Sequence, residues 1–187
     1  GAFASVDLFY AFWLHEVALL PTLFALIIFG GVQRRAAAIE VGLFMLLGSL
    51  LLLSGLISFK FAAGFSSFSL LEWQHRLAFV SFTPQVLGSF GVVLLGVVVL
   101  SGLWPFYTWV PRLLTQAPAP VAMLQGGALK FFGLFVLLQG FLPLLSSSEL
   151  YPWLTLLCVA NILFIGFAAL AEGHLTRLVA LAAVMHM

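Results

Sequence analysis

Glu16, Lys130, His174 and His186 are side chains able to take up and release protons, and all four lie in or beside stretches apolar enough for the interior of a bilayer. Glu16 follows His15 near the middle of FYAFWLHEVALLPTLFALIIFGG, residues 9–31. At a helical rise of about 1.5 Å per residue, Glu16 falls about 4 Å from the centre of its apolar run. Lys130 falls almost at the centre of its own run, and His186 about 15 Å into the last one. An unpaired Asp or Lys at mid-membrane costs roughly 2.5–3.5 kcal/mol, so each such group needs a partner, water or neutralisation. A proton or ion path supplies those surroundings, because Glu, Lys and His can exchange protons along it. A buried Glu16–Lys130 pair could instead simply lock two helices together. His15 points about 100° round the helix from Glu16 and reads as an interhelical hydrogen-bond donor. Glu72, His75, Arg76, Arg112, Glu149 and Glu172 fall in links, where solvent or headgroups would hold them.

The elements that position these groups follow from composition. Of 187 residues, 64% are apolar and 7% charged, and the mean hydropathy is +1.22. Such values exclude a soluble globular domain and imply an all-α, polytopic transmembrane helix bundle, since helices satisfy their own backbone in lipid. A net charge of +1 from dispersed Lys and Arg offers no field for nucleic acid, leaving the lipid bilayer as the bulk partner. Cys158 is the lone cysteine, and no Cys or close His pair offers a metal site, so no cofactor and no redox site are expected in this chain. The first apolar run is too long for a signal peptide and contains Glu16. Gly1 in place of an initiator methionine suggests a piece of something longer.

Counting about 20 apolar residues per crossing gives five spans and the beginning of a sixth, within one transmembrane domain fragment over 1–187. The spans are expected at about 8–29, 37–59, 77–103, 121–142 and 150–171, with LVALAAVMHM opening the sixth. Pro84 is expected to loosen the third. Pro111, Pro118 and Pro120 mark WPFYTWVPRLLTQAPAP as an interfacial loop with a Trp/Tyr belt. Gly126, Gly127 and Gly133 bracket Lys130, and their backbone freedom predicts a helix broken near 126–134. The last helix stops half-way across at Met187, so a second polypeptide is expected to cover it. Arg34, Arg35, Arg112 and Arg177 fall on one side and Lys60 and Arg76 on the other, weakly placing the first group in the cytoplasm or matrix.

Several blocks, in order along nearly the whole chain, resemble the antiporter-like membrane subunits of respiratory complex I, which are related to Mrp antiporters and membrane-bound hydrogenases. FWLHEVALLP carries the family's glutamate five residues before a proline, and AAIEVGLFMLLGS resembles its next helix, with Gly48-Ser49. PFYTWVPRLLTQAPAP is similar to the family's PFHTWLPDAHxEAP loop, ALKFFG to its lysine-bearing broken helix, and ALAEGHLTRLVALAAVMHM to ALxQxDLKRLIAYSSVSHM. The Glu16–Pro21 spacing, Gly48-Ser49, TWVP and the final HM resemble the subunit 4 pattern. APAPV, with Lys130 twelve residues after Pro118, resembles subunit 2, because the subunit 4 pattern places its lysine at Phe131.

The resemblance implies that Glu16 partners the broken-helix Lys130 in a midplane proton relay, and with the family lysine lost at Thr176, His174 or His186 is left to carry the next step. It implies a split or truncated proton-translocating subunit of the complex I membrane arm, without redox chemistry of its own inside an NADH:ubiquinone reductase. Expected partners are the other membrane-arm subunits, including a chain that completes the fold. A mitochondrial inner membrane is the expected address, with a bacterial plasma membrane as the alternative. The departures bear on whether protons still pass. Gln116 replaces a family carboxylate, PRLL replaces PDAH, and Leu100 and Thr176 stand where the family has lysines. A degenerate scaffold that no longer conducts, or an Mrp-type antiporter or hydrogenase subunit, are the rival readings.

Overall fold

The computed structural model describes residues 1–81, 83–145 and 151–187. Glu149 and the expected start of the fifth span at Leu150 lie outside the described residues. The described residues fold into nine α-helices: α1 (Leu8–Phe29), α2 (Arg34–Ala63), α3 (Leu70–Arg76), α4 (Pro84–Ser101), α5 (Trp109–Gln116), α6 (Ala119–Gly127), α7 (Phe132–Leu145), α8 (Tyr151–Leu170) and α9 (Leu175–Met185). Helices α1, α2, α4 and α8, together with the joined α6–α7 segment, are long and apolar enough to cross a membrane, and α9 is a shorter apolar helix. This matches the expected all-α transmembrane bundle, with five candidate spans among the described residues.

Local chemistry sets the boundaries. Asp7 caps α1 by accepting from the Tyr10 N–H at 2.9 Å. Gly30 closes the same helix, its N–H donating to Leu26 O at 3.0 Å. The α1–α2 link is pinned by Gln116, whose backbone oxygen accepts from Gly31 N–H at 2.8 Å and whose Oε1 accepts from Gln33 N–H at 3.0 Å. Helix α2 outruns its expected span at both ends. It takes Lys60 into its last turn and stops only at Gly64, whose φ of 69° suits the residue that has no Cβ.

Pro118 stays in the link before α6 as expected, whereas Pro84, Pro111 and Pro120 start helices. Pro84 does not loosen a span: it opens α4, with Thr83 Oγ1 accepting from Val86 N–H at 3.3 Å. Pro111 lies in the first turn of α5, and Pro120 near the start of α6, positions where a missing N–H breaks no helical bond. The expected loop 104–120 therefore contains a short helix, α5, with Trp109, Val110 and Leu113 buried.

Helices α2 and α4 pack backbone to backbone. A Cβ added to Gly96 would stand 2.6 Å from Leu52 N, and one added to Gly55 would stand 2.7 Å from Val93 N. Small residues allow such approach, which is how membrane helices gain contact without a hydrophobic driving force between them. A buried aromatic cluster of Phe59, Trp73, Phe90 and Phe141 ties α2, α3, α4 and α7 together at one end. Trp73 Nε1–H finds its partner in Ser67 O at 3.0 Å.

Candidate functional site

The segment carrying Lys130 is not a continuous helix. Helix α6 ends at Gly127, Ala128 takes φ −128° and ψ −60°, one 3₁₀ turn covers Leu129–Phe131, and α7 begins at Phe132. Gly126 and Gly127 are the last residues of α6 and keep helical backbone, and the break itself falls at Ala128. Gly133 lies just past it, and its role is close packing: a Cβ there would meet Ser101 Oγ at 2.8 Å and Val97 O at 3.2 Å on α4.

Lys130 is 2% exposed. Its Nζ donates to Ala183 O of α9 at 2.6 Å and lies 5.1 Å from the Phe131 ring centre. Among the described residues no carboxylate comes within 4.0 Å of it, so Glu16 and Lys130 form no direct ion pair. Glu16 instead accepts from Ser49 Oγ of α2 at 2.5 Å. It also lines a cavity of ≈ 380 Å³ between α1 and α2 with Trp13, Met45 and Leu46.

His15 occupies the place between them. Its ring is 2% exposed, stacks on Phe132 at 4.1 Å, and places Nε2 3.2 Å from Leu129 O, the carbonyl next to Lys130. Its Nδ1 lies 3.4 Å from Glu16 Oε1. The interhelical donor expected of His15 is found, at the break itself.

A second polar layer surrounds this one. Gln125 Nε2 donates to Thr22 Oγ1 at 2.6 Å, joining α6 to α1. Asn161 of α8 donates from Nδ2 to Val184 O at 3.1 Å and accepts from Trp104 N–H at 3.0 Å. Neither residue was singled out from the sequence, although an amide inside an apolar run is itself the signal.

The two outer histidines separate. His186 follows α9, is exposed, and borders a ≈ 370 Å³ cavity with Asn161 and Cys158. It stands three residues after Ala183, whose carbonyl accepts from Lys130. His174 is the N-cap residue at the other end of α9, about 18 Å away at helical rise. It lines a polar cleft of ≈ 590 Å³ with Arg112, Arg177 and Gln116. Arg112 pairs there with Glu40, and Arg177 with Glu172 at 3.5 Å. Leu100, at a family lysine position, is buried against Gly48, whereas Thr176 is exposed on that cleft.

Comparison with known proteins agrees with this geometry. The chain is 32% identical over 189 residues to NAD(P)H-quinone oxidoreductase chain 4 2 of Synechococcus sp. (strain JA-3-3Ab), an alignment covering 100% of this chain and 35% of that protein. It is 30% identical over 194 residues to the protein of the same name from Trichodesmium erythraeum (strain IMS101), covering 100% of this chain and 33% of the other. A chain of respiratory complex I from Thermus thermophilus with bound NADH superposes with a TM-score of 0.84 at 26% identity, over 99% of this chain and 39% of that one. This chain thus spans about a third of the length of the curated relatives it matches. Both named relatives carry chain 4 names and are cyanobacterial, which speaks for the subunit 4 pattern over subunit 2 and against the mitochondrial address. The family described as NADH:quinone oxidoreductase/Mrp antiporter, TM, matches residues 5–187, and the chain belongs to it.

Proposed function

We propose that this chain is a proton-translocating, chain 4-like membrane subunit of a complex I-type NAD(P)H:quinone oxidoreductase in a bacterial plasma or thylakoid membrane. Glu16 and Lys130 carry the proton path, His186 extends it beyond α9, and His174 lies in the polar cleft through which protons reach the chain. The electron-transfer chemistry belongs to partner subunits, and the membrane-arm neighbours cover the lipid-level faces of α8 and α9.

One observation carries the reading: a lysine at the centre of a span, 2% exposed, sits in a broken helix with a carbonyl as its neighbour and no described carboxylate within 4.0 Å. A structural lock would pair such a cation, since an uncompensated buried charge is costly. A lysine that gains and loses its proton against a mobile partner gives a two-state element for coupling. The identity of the assembly is tested by purification in mild detergent. NAD(P)H-quinone oxidoreductase subunits copurifying with the chain support the proposal, and a stable assembly containing cation/proton antiporter subunits alone overturns it.

A further inference from the structure

We infer that His15 and Glu16 form a one-proton station, holding a proton between His15 Nδ1 and Glu16 Oε1 and tying its presence to the backbone break beside Lys130. The inference rests on the proton-translocation reading and adds to it a residue that the Glu–Lys pairing leaves out.

His15 Nε2 faces Leu129 O at 3.2 Å. A carbonyl oxygen can only accept, so Nε2 carries the N–H, and the neutral ring is left with a bare Nδ1 lone pair. Nδ1 is wholly buried and has no hydrogen-bond partner, while Glu16 Oε1 lies 3.4 Å away. Nδ1 is then a buried acceptor without a donor, beside a carboxylate oxygen that already accepts from Ser49 Oγ, and an unpaired buried acceptor is expensive away from water. One proton removes the conflict in either of two ways. It resides on Nδ1, making an imidazolium that donates to the carboxylate, or on Oε1, making an acid that donates to the imidazole. Transfer between the two breaks one N–H bond and forms one O–H bond, with no further reagent, and a small rotation of the Glu16 side chain closes the gap to hydrogen-bond length.

The surroundings leave this pair in control of the proton. Phe132 of α7 stacks on the ring at 4.1 Å and cannot titrate. Helix α2 contributes the Ser49 hydroxyl, which donates to the same Oε1 at 2.5 Å and steadies the carboxylate. The turn at Leu129–Phe131 contributes Lys130, whose Nζ reaches the other way to Ala183 O. Glu16 has 29% of its side chain exposed to the α1–α2 cavity, giving the station an open side, whereas His15 is sealed at 2%. Leu129 O accepts both from His15 and from Phe132 N–H. Protonating the ring turns the first of these into a charge-assisted bond, so charge at the station strengthens the hold on the turn that aims Lys130.

The experiment compares His15→Gln and Lys130→Met in the assembled complex reconstituted into liposomes, reading proton-coupled turnover. Glutamine keeps an N–H for Leu129 O but binds no proton. The expected result is the same loss of proton-coupled turnover in both variants, with electron transfer retained when the liposomes are uncoupled. Loss in Lys130→Met with wild-type turnover in His15→Gln overturns the station and leaves the proposed function standing. Wild-type turnover in both overturns both. A structural role is separated by spectroscopy on the unmutated complex, which also decides the matter should His15→Gln fail to assemble. With this chain labelled in ¹⁵N-histidine, the station predicts a protonated Nδ1 at His15 or an acid C=O band removed by Glu16→Gln. A bare Nδ1 together with an ionised Glu16 in the same sample overturns it.

Discussion

Gly96→Ala should destabilise the bundle although it adds a single methyl group to a helix. The new Cβ would lie 2.6 Å from Leu52 N and 2.8 Å from Leu52 Cα. Ordinary contact is about 3.5–4.0 Å, so α2 and α4 must part by about 1 Å, because both clashing atoms are backbone and no rotamer relieves them. Overpacking of this kind costs about 1–3 kcal/mol, and alanine returns about 0.5–1 kcal/mol of helix preference, leaving a net loss of about 1–2 kcal/mol. Gly88 and Gly91 are built-in controls on the same helix, since an added Cβ there meets nothing within 4 Å. Gly88→Ala should therefore stabilise α4 by about 0.5–1 kcal/mol. Thermal denaturation of the purified assembly, followed through this chain, reads the difference. Equal midpoints for Gly96→Ala and Gly88→Ala would refute the backbone-to-backbone contact.

Other consequences are specific. Asn161→Leu strands Trp104 N–H and Val184 O together, and interhelical bonds in membranes are modest, so a loss of about 1–2 kcal/mol is expected, seen as faster proteolysis of α9. Unchanged protection would mean that Asn161 does not hold α9. In the α2–α3 link, hydrogen bonds from the Ser67 hydroxyl and then the Ser66 N–H and hydroxyl, together with Arg76, hold the Glu72 carboxyl well below the usual carboxylate range. A depressed carboxyl contributes order above its unfolded value and loses it only as pH falls through the folded one. Amide exchange at Ser66 and Ser67 should accordingly stay slow from neutrality down to about pH 4, and Glu72→Gln should speed it at neutral pH. Rising exchange in the unmutated chain between pH 6 and 4 would contradict this.

The placing of Glu16 and Lys130 near the middle of their apolar spans was legible in the sequence because helical rise turns residue counts directly into distance along a helix. The place of the break beside Lys130 was legible too, but its irregular backbone is at Ala128, while Gly126 and Gly127 stay helical. What each group touches was not. Whether Lys130 meets Glu16 or Ala183 O depends on how α1 and α9 are rotated about their axes, and a nearly uniform apolar surface leaves that rotation unmarked. His15 shows the same limit: its burial and its partner at Leu129 O arise from a contact 114 residues away in sequence. The prolines misled because one residue type both ends helices and begins them, and only the neighbouring cap, such as Thr83 before Pro84, tells the two apart.

Proton translocation through this chain is tested most directly by the number of protons moved per electron pair in an assembled complex carrying Lys130→Met. Methionine fills the same buried space without charge and is cheap to bury, so subunit content and electron transfer from NAD(P)H in uncoupled membranes should be retained. A lower proton-to-electron ratio is expected, because the side chain proposed to exchange protons at the centre of the broken helix is gone. An unchanged ratio in a fully assembled Lys130→Met complex would contradict it, and would make the buried lysine a structural element of a scaffold.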